Sequence, residues 1–396
     1  MTTDEATLTS ARARPALWRD AKIRGIAYQV VFVAAVAGFI ALIVHNAIAN
    51  IGRQNIATGF GFLHREAAFG IGESLIEYSP ADTYARALLV GLTNTLHVAA
   101  LGIVLATILG TLMGLARLSS NWLVAKLARV YVEIFRNIPL ALQLFFWWGL
   151  LDKMAPGPRQ AWQILPDVFV SNRGIIYPVP LSNPAYKWVV AALGIGVVAA
   201  IGLHRWAKRC QAATGRQFPT GWVALALIIG LPAAVFLGFG APARLDVPVL
   251  KGFNFSGGDA VSPEFAALLI GLVVYTGTFI CEIVRAGILA VNWGQSEAAM
   301  ALGLRSSQRM RLVVLPQALR VIVPPLTSQY LGLTKASSLA VIIGFPDLVS
   351  VANTTMNQTG QAIEGITIIM AVYLSLSLAI SLAMNVYNRA VALVER

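Results

Sequence analysis

The sequence predicts an all-α integral membrane protein with about eight transmembrane helices. Hydrophobic residues make up 57% of its 396 residues and charged residues only 12%, where soluble domains carry about a quarter. Several apolar stretches reach the roughly 20 residues that a helix needs to cross about 30 Å of hydrocarbon. In lipid every backbone polar group must pair internally, and stretches this long do so as helices rather than barrel strands.

The first predicted span is 25–46, with nothing resembling a signal cleavage site after it. Residues 1–24 form a basic tail with Arg12, Arg14, Arg19, Lys22 and Arg24, which predicts a cytoplasmic N-terminus. The second and third spans are 87–116 and 130–151. In the second, Gly91, Gly102, Gly110 and Gly114 favour close helix packing. The remaining spans are 187–203, 221–240, 264–289, 317–345 and 363–387, an even total that returns the C-terminus to the cytoplasm. On this topology the cytoplasmic segments hold 20 Lys and Arg and the outside loops nine, as the positive-inside rule requires. The net charge of +12 is then a consequence of topology and implies no nucleic-acid partner.

The outside loops 46–85, 151–186 and 241–263 come between these spans. The Pro-rich 151–186 and the Gly- and Pro-containing 241–263 predict short hairpins and turns without a folded domain of their own. Cys210 and Cys281 fall in a loop and a span, and do not read as a disulfide. His45, His64, His97 and His204 are scattered without metal-ligand spacing. There is no phosphate-binding G-x-x-x-x-G-K-[ST] run. The expectation is no catalytic set, no metal and no cofactor in this chain.

The most informative segment is 297–316, EAAMALGLRSSQRMRLVVLP. Glu297 to Leu302 favour a helix, Gly303 can end it in the left-handed conformation, and Leu315-Pro316 start the next. Arg305, Arg309 and Arg311 hold the segment at the wet face, and small Ala298 and Ala299 suit docking into a partner's groove. The plain alternative is an amphipathic connector.

Four other places carry polar groups into the spans. Glu282 and Arg285 stand at i, i+3 and read as a structural ion pair, with a gating bond as the alternative. Lys335 is functional by default unless it snorkels, and Ser337 and Ser338 beside it are positioned to satisfy it. Pro324-Pro325 predicts a bend, with a site-lining role as the alternative. Gln143, Ser328 and Gln329 are candidates for the substrate pathway, or for pairing with a neighbouring helix.

The 297–316 spacing resembles the EAA signature of ABC importer permeases. Taken with Arg136-Asn137-Ile138-Pro139-Leu140-Ala141-Leu142-Gln143-Leu144-Phe145-Phe146, Glu282-Ile283-Val284-Arg285, Leu315-Pro316-Gln317-Ala318-Leu319-Arg320 and Leu333-Thr334-Lys335, it is similar to the polar-amino-acid branch of that family, the histidine, glutamine and arginine importers. The length resembles the larger permease subunits of general L-amino-acid and glutamate/glutamine/aspartate/asparagine importers. The resemblance divides the chain into the tail 1–24, an extra span and loop 25–85, a first core part 86–150, an insert 151–262, and a second core part 263–396 with a coupling loop 291–316.

It implies the type I importer fold, in a multi-pass protein of the bacterial inner membrane. Glu297, Ala298, Ala299, Gly303, Leu315 and Pro316 would meet a separate ABC ATPase dimer that holds ATP and Mg. A second permease subunit would complete a heterodimer, and a periplasmic amino-acid-binding protein would deliver the L-amino acid. In the branch the place of Ser328-Gln329 often reads Asn-Glu, whose acid suits cationic substrates; the neutral Gln329 bonds to either sign. The rival readings are an ion-coupled secondary transporter, which would need mid-membrane coupling sites, and an accessory subunit without a substrate site.

Overall fold

The computed structural model describes residues 21–53, 58–215, 218–241 and 244–391. The expectations for Arg12, Arg14 and Arg19 fall outside these residues.

Helix α1 (Ala21–Arg53) is apolar along its length and has none of its spanning window buried. A strap over residues 58–83, with one 3-10 turn at Phe60–His64, leads into α2 (Tyr84–Arg117), which the Thr83 hydroxyl caps. We call the end where α2 starts the mouth and the opposite end the base.

The expected single span 130–151 is corrected. Two helices stand there, α3 (Trp122–Asn137) and α4 (Leu140–Gly149, continued by a π turn Leu150–Met154), bent by 103°. Pro139 has no N–H to donate, and the residue before a proline is pushed out of the helical region; Ile138 is extended at φ −94°, ψ 125°. Among the described residues, seven helices are long and apolar enough to cross a membrane, or eight counting this bent pair as one span.

The insert begins with β1 (Trp162–Leu165), β2 (Val168–Ser171), β3 (Gly174–Tyr177) and β4 (Val179–Pro180). A helical hairpin follows, α5 (Ala185–Thr214) against α6 (Thr220–Leu225) and α7 (Leu231–Gly238), the last two joined by a π turn. The chain returns through β5 (Leu245–Asp246), β6 (Val249–Lys251), β7 (Asn254–Ser256) and β8 (Asp259–Val261). The two predicted hairpin regions pair with each other. The antiparallel sheet β1-β2-β3-β8 sets Ile175 opposite Val261, and β4 pairs with β5. The insert is thus closed on itself by strands far apart in sequence, which local turn signals do not reveal.

The second core part starts with α8 (Pro263–Leu289), capped by the Ser262 hydroxyl. Then come α9 (Trp293–Ala301), α10 (Ser306–Arg309), α11 (Leu315–Ala336, continued by a 3-10 segment to Ile343), α12 (Leu348–Thr359) and α13 (Ala362–Val391). Helix α12 lies between the predicted spans 317–345 and 363–387; the Asp347 carboxylate accepts from Ser350 N to start it, and Gly360 at φ +72° ends it.

The core is built around α2 and α8. A Cβ added at Gly110 would come 2.6 Å from Ile280 Cβ, and one at Gly114 2.9 Å from the Cys281 carbonyl oxygen. Lipid is as apolar as leucine, so it is van der Waals contact at this range, not water exclusion, that holds spans together. Val98, Leu144, Leu268, Leu272, Leu333 and Phe345 fill the space around the pair.

At the mouth the strap ties the two core parts together. Phe62 and Ala67 are buried against Leu88, Leu348 and Val351. The Asn94 amide donates to Glu73 O at 2.8 Å and Pro346 O at 2.9 Å, and the Gln361 amide donates to Gly59 O at 2.9 Å. The Ser262 hydroxyl donates to the Glu73 carboxylate. Burial pushes the Glu73 pKa up, with nearby Glu264 and Asp259 adding to it and the Ser262 bond opposing.

Candidate coupling and pathway sites

The base carries the protruding segment that the sequence singles out. Asn292 caps α9 by accepting from Gly294 N at 2.9 Å. At its end Gly303 takes φ +75°. Gly303 N then donates to Met300 O and Leu304 N to Ala299 O, the paired bonds of a Schellman stop. Arg305 N donates to the Gln308 side chain at 3.0 Å and opens α10. The helix does not start at Pro316. It runs on from Ser306 through a π turn, Met310–Val314, placed just before the proline. An extra residue in that turn accommodates the missing Pro316 N–H.

Ala299 and Ser296 face inward, 3% and 8% exposed, and Gln317 donates to Gln295 across to α9 at 3.3 Å. Glu297, Ala298 and Gly303 face outward. So Ala299 braces the element and Ala298 lies on its open side. Leu302 and Trp293, 81% and 67% exposed, stand beside them as apolar knobs. Sequence reasoning passed over both; for Leu302 the signal was a large apolar residue directly before the stop glycine. Leu315 is exposed and Pro316 half-buried.

Glu282 pairs with Arg285 at 3.1 Å, and also with Arg117 from the end of α2. The Arg117 side chain is only 12% exposed. The ion pair is therefore a triad that bridges both core parts, with one more arginine than carboxylate. Arg117 is far from Glu282 in the chain and carries no local signal.

Gln143 is 3% exposed, and its amide donates to Phe135 O at 2.8 Å and Ile138 O at 3.0 Å. It satisfies carbonyls freed at the α3–α4 break. Gln329 is half-buried on α11, while Ser328 and Lys335 are exposed. Helix α11 runs through Pro324 and Pro325 as one element. Ser337 and Ser338 do not solvate the Lys335 ammonium. Their hydroxyls donate to Thr334 O and Lys335 O at 2.7 Å each, the usual back-bonding of helical serines.

A family model described as "Binding-protein-dependent transport system inner membrane component" matches residues 192–393. The chain is 53% identical over 377 residues to the general L-amino acid transport system permease protein AapQ of Rhizobium johnstonii, covering 95% of this chain and 94% of that protein. It is 51% identical to the putative amino-acid ABC transporter permease protein YhdX of Escherichia coli, covering 94% and 95%. It is 40% identical to the glutamate/glutamine/aspartate/asparagine transport system permease protein BztB of Rhodobacter capsulatus, covering 95% and 96%. Among solved structures, an amino acid ABC transporter crystallised with histidines is 22% identical, covers 78% of this chain and 95% of its own, and gives a TM-score of 0.46.

Proposed function

The chain belongs to the family of binding-protein-dependent inner-membrane transport components, as a permease subunit of an ABC importer, and from that premise we propose that it carries L-amino acids inward across the bacterial inner membrane. The α9–Gly303–α10 element is the observation that carries the coupling half of this reading. It is a rigid turn braced from inside by Ala299, with Glu297, Ala298 and Leu302 left open. Such a face suits helix-in-groove docking.

The proposed partner there is an ABC ATPase dimer holding ATP and Mg, so hydrolysis belongs to another chain. The base then faces the cytoplasm, with both termini, and the mouth faces the periplasm, where a binding protein delivers the solute. A second, related permease subunit completes the pathway as a heterodimer. Ser328, Gln329 and Lys335 line the solute side of α11, and Gln143 supports the break behind it. The Arg117–Glu282–Arg285 triad joins the core parts near the base and moves with them as the states alternate. The domain division follows: core parts 86–150 and 263–396, and an added span and insert at 25–85 and 151–262.

The test is Gly303→Val. A β-branched residue resists the left-handed conformation, so uptake should fall at least tenfold at equal membrane expression. Wild-type uptake in that variant would remove the coupling role. Purification of the tagged chain should also bring down an ATPase and a second permease; a chain that purifies alone and transports on an ion gradient would favour a secondary transporter.

A further inference from the structure

Helices α3 and α4 stand where one span is expected, and only α4 runs in the crossing direction. It follows α8: a Cβ added at Gly271 would come 2.6 Å from Leu144 Cδ2, and Trp148 Nε1 donates to the Glu264 carboxylate at 3.4 Å. Between Glu264 and Glu282 helix α8 carries no charge. That stretch rises about 27 Å, close to the roughly 30 Å of bilayer hydrocarbon. Glu282 therefore marks the base edge of the apolar layer, and its partner Arg117 is the last residue of α2. Helix α3 starts a short turn after Arg117, where the Asn121 side chain accepts from Leu123 N and Val124 N. Lying at 103° to α4, it runs along that edge instead of across the layer.

The helix has three different faces. Ala128 and Val132, each 2% exposed, are buried where α3 packs on α2 and α8, and the Tyr131 hydroxyl donates to Val274 O at 2.7 Å. Leu123, Leu127, Val130 and Ile134, spaced four, three and four apart, form an apolar row 41–60% exposed. Trp122, Lys126 and Arg129 form a third row at the same helical spacing, and all three are exposed. Among the described residues neither Lys126 nor Arg129 has an ion pair. Further along this row stands Glu133, and Arg136 lies over the Phe279 ring at 5.2 Å, so the free positive charge gathers at the start of the helix. A basic row beside an exposed apolar row, on a helix set along the membrane edge, is the make-up of an interfacial helix that holds anionic lipid.

We propose that α3 binds an anionic phospholipid of the cytoplasmic leaflet. Arg129 forks two phosphate oxygens, Lys126 adds a point charge, and the Trp122 indole sits at headgroup level. Leu123, Leu127 and Val130 meet the acyl chains. The proposal rests on the reading that the base faces the cytoplasm. Because α3 packs on both α2 and α8 and leads through Pro139 into α4, a lipid held there props the base of the core.

The test is native mass spectrometry of the delipidated full complex, this chain with its ATPase and partner permease, titrated with phosphatidylglycerol or phosphatidylcholine. The wild type should hold phosphatidylglycerol the more tightly. The double variant Lys126→Gln, Arg129→Gln should weaken the tightest-bound phosphatidylglycerol by about thirtyfold, the worth of two basic side chains at an anionic surface. The exchange Lys126→Arg, Arg129→Lys should keep it. Lys208→Gln with Arg209→Gln removes the same charge near the end of α5 and should leave the affinity within threefold. Equal affinity for the two lipids overturns the proposal, as does an equal loss in the α5 variant. Displacement of the lipid by millimolar inorganic phosphate would make this a free-anion site and overturn the lipid assignment. Loss of the second permease from the double variant, with lipid affinity unchanged, would make the row a subunit contact and overturn it too. A bimane on Leu127→Cys, in a Cys210→Ser, Cys281→Ala background, should be quenched by a lipid-borne nitroxide and spared by aqueous iodide. The reverse places α3 in water and overturns the proposal. None of these readouts uses transport, so a wild-type complex without ATP-driven amino-acid uptake would sink the permease reading separately from the lipid site.

Discussion

The α2–α8 pair and the added helices α1 and α6–α7 are equally apolar, yet only one of these regions is a packed core. Mean hydropathy is 2.1 to 2.3 for α8 and α2, against 2.4 for α1 and 2.2 for α6–α7. The buried share of the spanning window is 56% and 33% for the first pair and zero for both of the others. Glycine content does not separate them either. Gly38 and Gly230 have nothing within 4 Å of an added Cβ, whereas Gly110 is wedged against Ile280 and the Gly277 carbonyl. Hydropathy reports whether a helix can live in lipid; contact with another backbone reports whether it must stay in one place.

The largest effect should come from breaking the close approach itself. Gly110→Leu would force side-chain atoms into Ile280 and the Gly277 carbonyl. Overpacking of this kind costs about 1–3 kcal/mol even where neighbours yield, and here the obstacle includes backbone. Detergent gel filtration should show loss of the monodisperse protein. Gly230→Leu, of equal volume in the added hairpin, should elute and melt as wild type. Equal behaviour of the two variants would erase the distinction between the regions.

A smaller effect sharpens the comparison at the base. Glu282→Gln would leave Arg117 and Arg285 without their shared carboxylate. The groups are only 12–34% exposed, so the loss should be on the order of 1–3 kcal/mol, that of a hydrogen-bonded charge. It should read out as a lower melting temperature, with a parallel loss of uptake. A variant as stable as wild type would make the triad incidental to how α2 and α8 are held.

The smallest effect is a pH dependence at the mouth, where α12 packs on α2. Burial pushes the Asp347 pKa up to about 6, against the opposing backbone bonds from Ser350 and Val349. A carboxyl with a folded pKa above its unfolded value holds a proton that the unfolded chain has released. Stability should therefore fall as pH rises from about 4 to about 6, then level off. Asp347→Asn keeps a capping oxygen for Ser350 N and removes the titration. Its melting temperature should match or exceed wild type at neutral pH and lack that decline. Parallel profiles for the two proteins would mean that Asp347 titrates as an exposed acid.

Much of the base was legible in the sequence because its signals are local. Gly303 follows a helix-favouring run directly, and the left-handed stop it makes depends on residues within five positions of it. The orientation of α9 was not legible. Ala298 and Ala299 are the same residue type, and only the packing of α9 against the Met310–Val314 turn decides that Ala299 faces inward. Pro139 announced an interruption, but the expected span ran straight through it. The missed α12 is short and polar, so hydropathy passed over it despite the Asp347 cap and the Gly360 stop.

By itself the sequence determined the membrane class, the existence of most of the spans though not their ends, the EAA turn, and the neutral pair Ser328-Gln329 where the resembling branch often has an acid. Those are properties of composition, of helical period and of single turns, which a linear reading samples directly. Only the tertiary structure decided that Arg117 shares Glu282, that the strap clasps Pro346 through Asn94, that β3 pairs with β8 across the hairpin, and which spans are core. Each of these joins residues distant in the chain. In a bilayer, where all spans are apolar, such contacts depend on shape at close range rather than on hydrophobicity.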